Sequence, residues 1–136
     1  MELIYIDNRL SKAAVSARDM SYSPYSGFKV GAALLTKSGK IYLGCNIENA
    51  AYSPTICAER TAFAKAVSEG EREFSAIAVA GWGSKPGFAL PCGVCRQFMM
   101  EFCDPPVFAI IVTDGTDNRE YTLVELMPNG FGPFSL

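Results

Sequence analysis

Histidine is absent from all 136 residues. That single absence excludes Ser-His-Asp triads, Cys-His nucleophiles, imidazole-liganded zinc and imidazole acid–base chemistry. Any catalysis must run on carboxylates, thiolates or metal. A dominant charge sign is also lacking: 12 Lys and Arg stand against 14 Asp and Glu, for a net charge of −2. The basic residues are scattered from Arg9 to Arg119 without a cluster, so no nucleic-acid partner is expected. No apolar run approaches the roughly 18 residues of a membrane span; the longest, residues 107–112, has the length of a buried strand. The opening MELIYIDNRL lacks the basic start, apolar stretch and small-residue cleavage site of a signal peptide. A cytoplasmic protein with no membrane contact is therefore expected.

A hydrophobic fraction of 49% with 19% charged residues is globular composition, and the length fits one domain over residues 1–136. Residues 7–20 place Leu10, Ala13, Ala14, Ala17 and Met20 at helical spacing. Residues 30–36 and 41–45 read as a hairpin turning at Lys37-Ser38-Gly39-Lys40. A loop through Pro54 leads to a helix over residues 57–69, stopped by Gly70. Residues 75–81 form a strand, 82–91 a Gly/Pro-rich loop and 92–103 a third helix. Strands over 107–112 and 119–122 and a helical turn at 123–127 precede a Pro/Gly-rich tail. One mixed sheet covered by helices accommodates this order. Two helices that begin with cysteine follow strands, so their N-termini can meet at one sheet edge.

The five cysteines are an odd number, which in a reducing compartment favours metal or redox chemistry over a disulfide framework. Cys92-Gly93-Val94-Cys95 taken alone could be half a structural zinc site, a redox pair or chance. A closed four-cysteine site would need another thiolate. Cys103 lies about 12 Å from Cys95 along one helix, which leaves Cys45, more plausibly a small core residue. Cys57-Ala58-Glu59 followed by Pro91-Cys92-Gly93-Val94-Cys95 resembles the three-cysteine form of the zinc-deaminase signature. The chemistry fits: three protein ligands with an open fourth position make a catalytic zinc site. Cysteines in first helical turns are held as thiolates by unpaired N–H groups and the helix dipole. Glu59, on the same helix end, can reach a metal-bound water without ligating. Three thiolates leave the site at 2 − 3 = −1, so a compensating cation is expected, with Arg60 and Arg96 as candidates.

The resemblance extends along Tyr22-Ser-Pro-Tyr-Ser-Gly-Phe28, Gly44-Cys-Asn46-Ile-Glu48-Asn-Ala50-Ala-Tyr52, Cys57-Ala-Glu59-Arg, Pro91-Cys92-Gly-Val-Cys95-Arg-Gln and Phe131-Gly-Pro133. The chain is similar to the small, homotetrameric, three-cysteine class of cytidine deaminases over nearly its whole length. That class implies an α/β fold, a three-layer α/β/α sandwich on a five-stranded mixed sheet, and one Zn2+ per chain on Cys57, Cys92 and Cys95. It implies hydrolytic deamination of cytidine and deoxycytidine in pyrimidine salvage, with Glu59 as the catalytic proton shuttle. Asn46 and Glu48 match ribose ligands, Ala58 contacts the base through its backbone, and Phe28 packs on the nucleoside. Ala50, Tyr52 and Phe131 match residues reaching a neighbouring subunit's site, so the active sites of the homotetramer would be shared. The nearest alternative is a deaminase of a cytosine-nucleoside antibiotic of the blasticidin type, against which the Asn46 to Tyr52 segment speaks. The chain departs from the class at Leu90, where a small hydroxyl residue is expected, and in the loop from Trp82 to Ala89.

Overall fold

The structure, a computed structural model, describes residues 8–83 and 86–136. Helix α1 (Arg9–Ala17) runs into a 3-10 turn at Arg18–Met20, and β1 (Lys29–Thr36) and β2 (Ile41–Cys45) form the expected hairpin. Then follow α2 (Ala58–Ser68), β3 (Phe74–Trp82), β4 (Pro86–Gly87) and α3 (Gly93–Phe102). The chain closes with β5 (Ala109–Thr113), β6 (Asn118–Thr122), α4 (Leu123–Leu126) and a 3-10 turn at Pro133–Ser135. Asp7, the expected start of the first helix, lies outside the described residues.

Five strands are ordered β2-β1-β3-β5-β6. Within that order β3 and β5 are parallel, and the crossover between them carries α3, as a parallel connection requires. The other neighbours are antiparallel. Residues 82–91, expected to be loop throughout, instead carry β3 through Trp82 and form β4, with Gly81 opposite Gly87 and Trp82 opposite Pro86. Two residues of pairing leave no periodicity to read, and a strand this short accommodates proline at its edge.

Alternation along the strands sorts the core into two faces. Leu34, Ile77, Val79, Ile110 and Val112 pack with Phe63 of α2 and Met99 of α3. Ala33, Ala76, Ala78, Ala80 and Ala109 meet Leu10 and Ala14 of α1 on the other. The result is a three-layer α/β/α sandwich. Small residues set its spacing. A Cβ on Gly31 would fall 2.1 Å from the Ala14 carbonyl oxygen, and one on Gly44 would fall 2.4 Å from that of Ala58 and 2.6 Å from the Ala62 nitrogen. The first turn of α2 therefore lies directly on the β2 backbone, which fixes where its N-terminus emerges beyond the sheet.

Candidate active site

Cys57 and Cys92 are the N-cap residues of α2 and α3, both extended (φ −75°, ψ 156° and φ −71°, ψ 170°). Their carbonyls accept the first helical bonds, from the N–H of Thr61 at 3.1 Å and of Arg96 at 2.9 Å. Neither thiol caps its own helix; the two turn toward each other, with sulfurs 3.8 Å apart. Cys95, inside the first turn of α3, brings the third sulfur, and all three lie within 4.8 Å of one another. Only Cys95 thus occupies a first-turn position proper, because a cap residue's extended backbone is what swings its side chain past the helix end. Zinc–sulfur bonds of about 2.3 Å imply sulfurs about 3.8 Å apart in a tetrahedron, so the triad fits three corners of a zinc site. Cys45 lies elsewhere, its thiol donating to the Met20 carbonyl at 3.3 Å, and Cys103 is buried in the core.

The Cys57 thiol is acidified to about 5, foremost by its hydrogen bond with Cys95, with Arg60 and Cys92 contributing against the opposing effect of burial. That same bond to Cys57, and then burial, push Cys95 up. Arg60 Nη2 lies 3.6 Å from the Cys57 sulfur and 3.5 Å from the Thr55 carbonyl oxygen. Arg96 does not reach the sulfurs: its Nε donates to the Pro91 carbonyl and its Nη1 to that of Leu126, each at 2.7 Å. Of the two candidate cations, Arg60 is the one placed beside a sulfur. Spacing does not separate them, since Arg60 is three positions beyond Cys57 and Arg96 four beyond Cys92; the difference is that the Pro91 and Leu126 carbonyls take up the Arg96 guanidinium.

Glu59 is only 4% exposed. Burial first of all, helped by the negative charge of Cys57 and opposed by its own N–H and by Arg60, raises its carboxyl to about 7. It opens with Cys57, Cys92 and Ala58 onto a cavity of about 230 Å³ whose walls include Phe28, Asn46, Glu48, Ala89 and Leu90. Seven of the site residues expected from the sequence, Phe28, Asn46, Glu48, Cys57, Ala58, Glu59 and Cys92, therefore share one cavity. The ring of Phe28 lies on the end of β3: a Cβ on Gly81 would fall 2.8 Å from its Cζ, and one on Gly83 would fall 2.9 Å from its Cδ1.

Asn46 and Glu48 also do structural work that their spacing does not disclose. The Asn46 amide accepts from the Val30 N–H at 2.9 Å and from Ser21 Oγ, and donates to the Phe28 carbonyl at 2.9 Å. Glu48 accepts from the N–H groups of Tyr25 (2.9 Å) and Ser26 (3.2 Å) and from the Ser26 hydroxyl. Foremost that hydroxyl, then those N–H groups, hold its carboxyl below the usual range. Both side chains thus shape the turn that delivers Phe28. Ser26, part of the cavity wall, was marked in the sequence only by its place within the Tyr22 to Phe28 segment. Ala50, Tyr52 and Phe131 do not line this cavity. Tyr52, at φ 62°, is 71% exposed, and Phe131 is 58% exposed.

The profile of the cytidine and deoxycytidylate deaminase zinc-binding region matches residues 5–114. A cytidine deaminase of Sporosarcina psychrophila is 49% identical over 123 residues, covering 90% of this chain and 89% of its own. The crystal structure of cytidine deaminase from Burkholderia pseudomallei superposes with a TM-score of 0.83 at 46% identity, over 90% of this chain and 96% of that one. Cytidine deaminase from Mycobacterium tuberculosis gives 0.81 at 33% identity, over 96% and 99%.

Proposed function

The chain belongs to the cytidine and deoxycytidylate deaminase zinc-binding family, and from that premise we propose that it replaces the C4 amine of cytidine and deoxycytidine with oxygen from water, giving uridine or deoxyuridine and ammonia. One observation carries this reading: a buried carboxyl poised near 7 opens onto the same cavity as the sulfurs of Cys57 and Cys92. Zinc held by Cys57, Cys92 and Cys95 supplies Lewis acidity that brings the pKa of water towards neutrality.

Glu59 is the proton carrier. Its carboxylate takes a proton from the attacking water and passes it to N3 of the base, then moves a second proton to the departing amine. A pKa close to the working pH lets one group accept and release in turn. Arg60, donating to the Cys57 sulfur, offsets the excess negative charge of three thiolates. Phe28 packs on the nucleoside and the Ala58 backbone meets the base. Asn46 has one amide N–H left after its bond to Phe28, and Glu48 Oε2, which among the described residues accepts only from Ser26 Oγ, retains a lone pair for a ribose hydroxyl. An ionised Glu48 also repels a 5′-phosphate, favouring nucleosides over nucleotides.

Assembly belongs to the same reading. Ala50, Tyr52 and Phe131, standing outside the cavity, reach the site of a neighbouring copy in a homotetramer. One cytoplasmic catalytic domain spans residues 1–136. Ultraviolet assays of the zinc-loaded protein with cytidine, deoxycytidine, cytosine and CMP test the activity. Turnover of the two nucleosides alone is expected. Failure with both, alongside turnover of a cytosine-nucleoside antibiotic, would replace the substrate while keeping the chemistry.

A further inference from the structure

Two side chains immediately after the zinc ligand Cys95 tie the metal loop to the end of the chain. Arg96 donates from Nε to the Pro91 carbonyl, next to the ligand Cys92, and from Nη1 to the Leu126 carbonyl at the end of α4. Gln97 donates from Nε2 to the Phe131 carbonyl at 2.9 Å, 34 positions away. The tail between these anchors runs close along α3. A Cβ on Gly130 would fall 3.0 Å from Met100 Cε, and one on Gly132 would fall 3.4 Å from the Met100 carbonyl oxygen. The Phe131 backbone is thus held on α3 while its ring stands out, 58% exposed. Among the described residues, the polar contacts of this stretch apart from the Gln97 bond lie within the tail: the Gly132 N–H donates to Ser135 Oγ, and the Ser135 N–H to the Gly132 carbonyl.

We propose that Gln97 is a positioning residue for substrate binding, fixing Phe131 at a set offset from the helix that carries Cys92 and Cys95. Arg96 completes the coupling by holding the metal loop and the root of the tail to the same turn of α3. The proposal rests on Phe131 acting at a nucleoside site, as put forward above. Gln97 is not part of the wall of the Glu59 cavity. Its loss leaves the chemical step intact and shows in how well the tail presents its ring. The side chain is exposed, so substitution does not disturb the core.

Gln97→Ala removes the donor, and Gln97→Glu keeps the size while removing it too. Each variant is to be compared with wild type for zinc content, kcat, KM for cytidine, and the rate of chymotryptic cleavage after Phe131 followed by intact mass. Loss of one hydrogen bond corresponds to roughly a two- to tenfold effect. KM and the cleavage rate should rise by that factor in both variants, with zinc content and kcat at wild-type values. Unchanged KM and unchanged cleavage would overturn the proposal. So would a fall in kcat or zinc at constant KM, which would make Gln97 a support of the helix alone. Faster cleavage with unchanged KM would show that Gln97 holds the tail but that Phe131 serves no substrate, and would also overturn it. Wild-type protein inactive on cytidine would instead count against the deaminase reading, while cleavage still reports on the tail.

Discussion

A glutamate two positions from a cysteine can be a solvated helix residue or the centre of a reaction, and burial here speaks against the first and supports the proposed second. Glu59 is buried and its carboxyl sits near 7, so Glu59→Gln, which preserves shape but cannot carry a proton, should lower kcat by about 10²–10⁴-fold. Zinc content by metal analysis should stay at one per chain; turnover near wild type would remove Glu59 from the mechanism. Arg60→Gln should lower kcat with zinc still bound, because the charge that balances the thiolates is lost while their geometry is kept. The corresponding Arg96 change should show no such separation, since that guanidinium holds carbonyls rather than sulfurs. The cysteines and Glu59 were legible because their chemistry is rare and their spacing short. The second roles of Asn46 and Glu48 were not, since their partners lie 16 to 25 positions away, a relation only the folded hairpin and its preceding turn create.

Helices and strands were legible for a different reason: a helical period in one case, a short apolar run between turn signals in the other. The three-four spacing in α1 gives its residues a face before any tertiary contact forms, whereas β1, β3 and β5 read as short apolar runs bounded by turn residues, as strands buried on both faces do. The region after β3 escaped because two paired residues rich in Gly and Pro show no period, and its pairing is decided by the exposed end of β3. Less visible still is the close approach of α2 to β2. Gly44 reads in the sequence as an ordinary strand residue, but its missing side chain lets Ala58 and Ala62 rest on the strand, and this contact places Cys57. Gly44→Val should therefore push the first turn of α2 outward. A destabilisation of about 1–3 kcal/mol is expected in urea unfolding, together with weaker zinc retention against a chelator. Full stability with full zinc retention would mean that the helix can shift without carrying Cys57 with it.

At the scale of the whole molecule the question is what covers the aromatic tail. Phe131 is 58% and Phe134 68% exposed, and Leu136 is almost wholly so. The segment is built from turn residues, with Asn129 at φ 58°, and forms no secondary structure beyond one 3-10 turn that could bury its own rings. Gln97 holds its backbone on α3, with Gly132 against the Met100 carbonyl, so the rings are presented outward. A second copy of the chain is the covering surface that the proposed shared site requires. Burying an aromatic side chain is worth roughly 1.5–3 kcal/mol, or about a ten- to hundredfold change in an equilibrium constant. Removing residues 129–136 deletes neither a zinc ligand nor Glu59, and takes no strand from the sheet. The truncated protein should therefore remain folded with one zinc per chain, while KM for cytidine rises about ten- to hundredfold. Sedimentation of the wild type should give a tetramer; a wild-type monomer with full activity would show that each chain completes its own site.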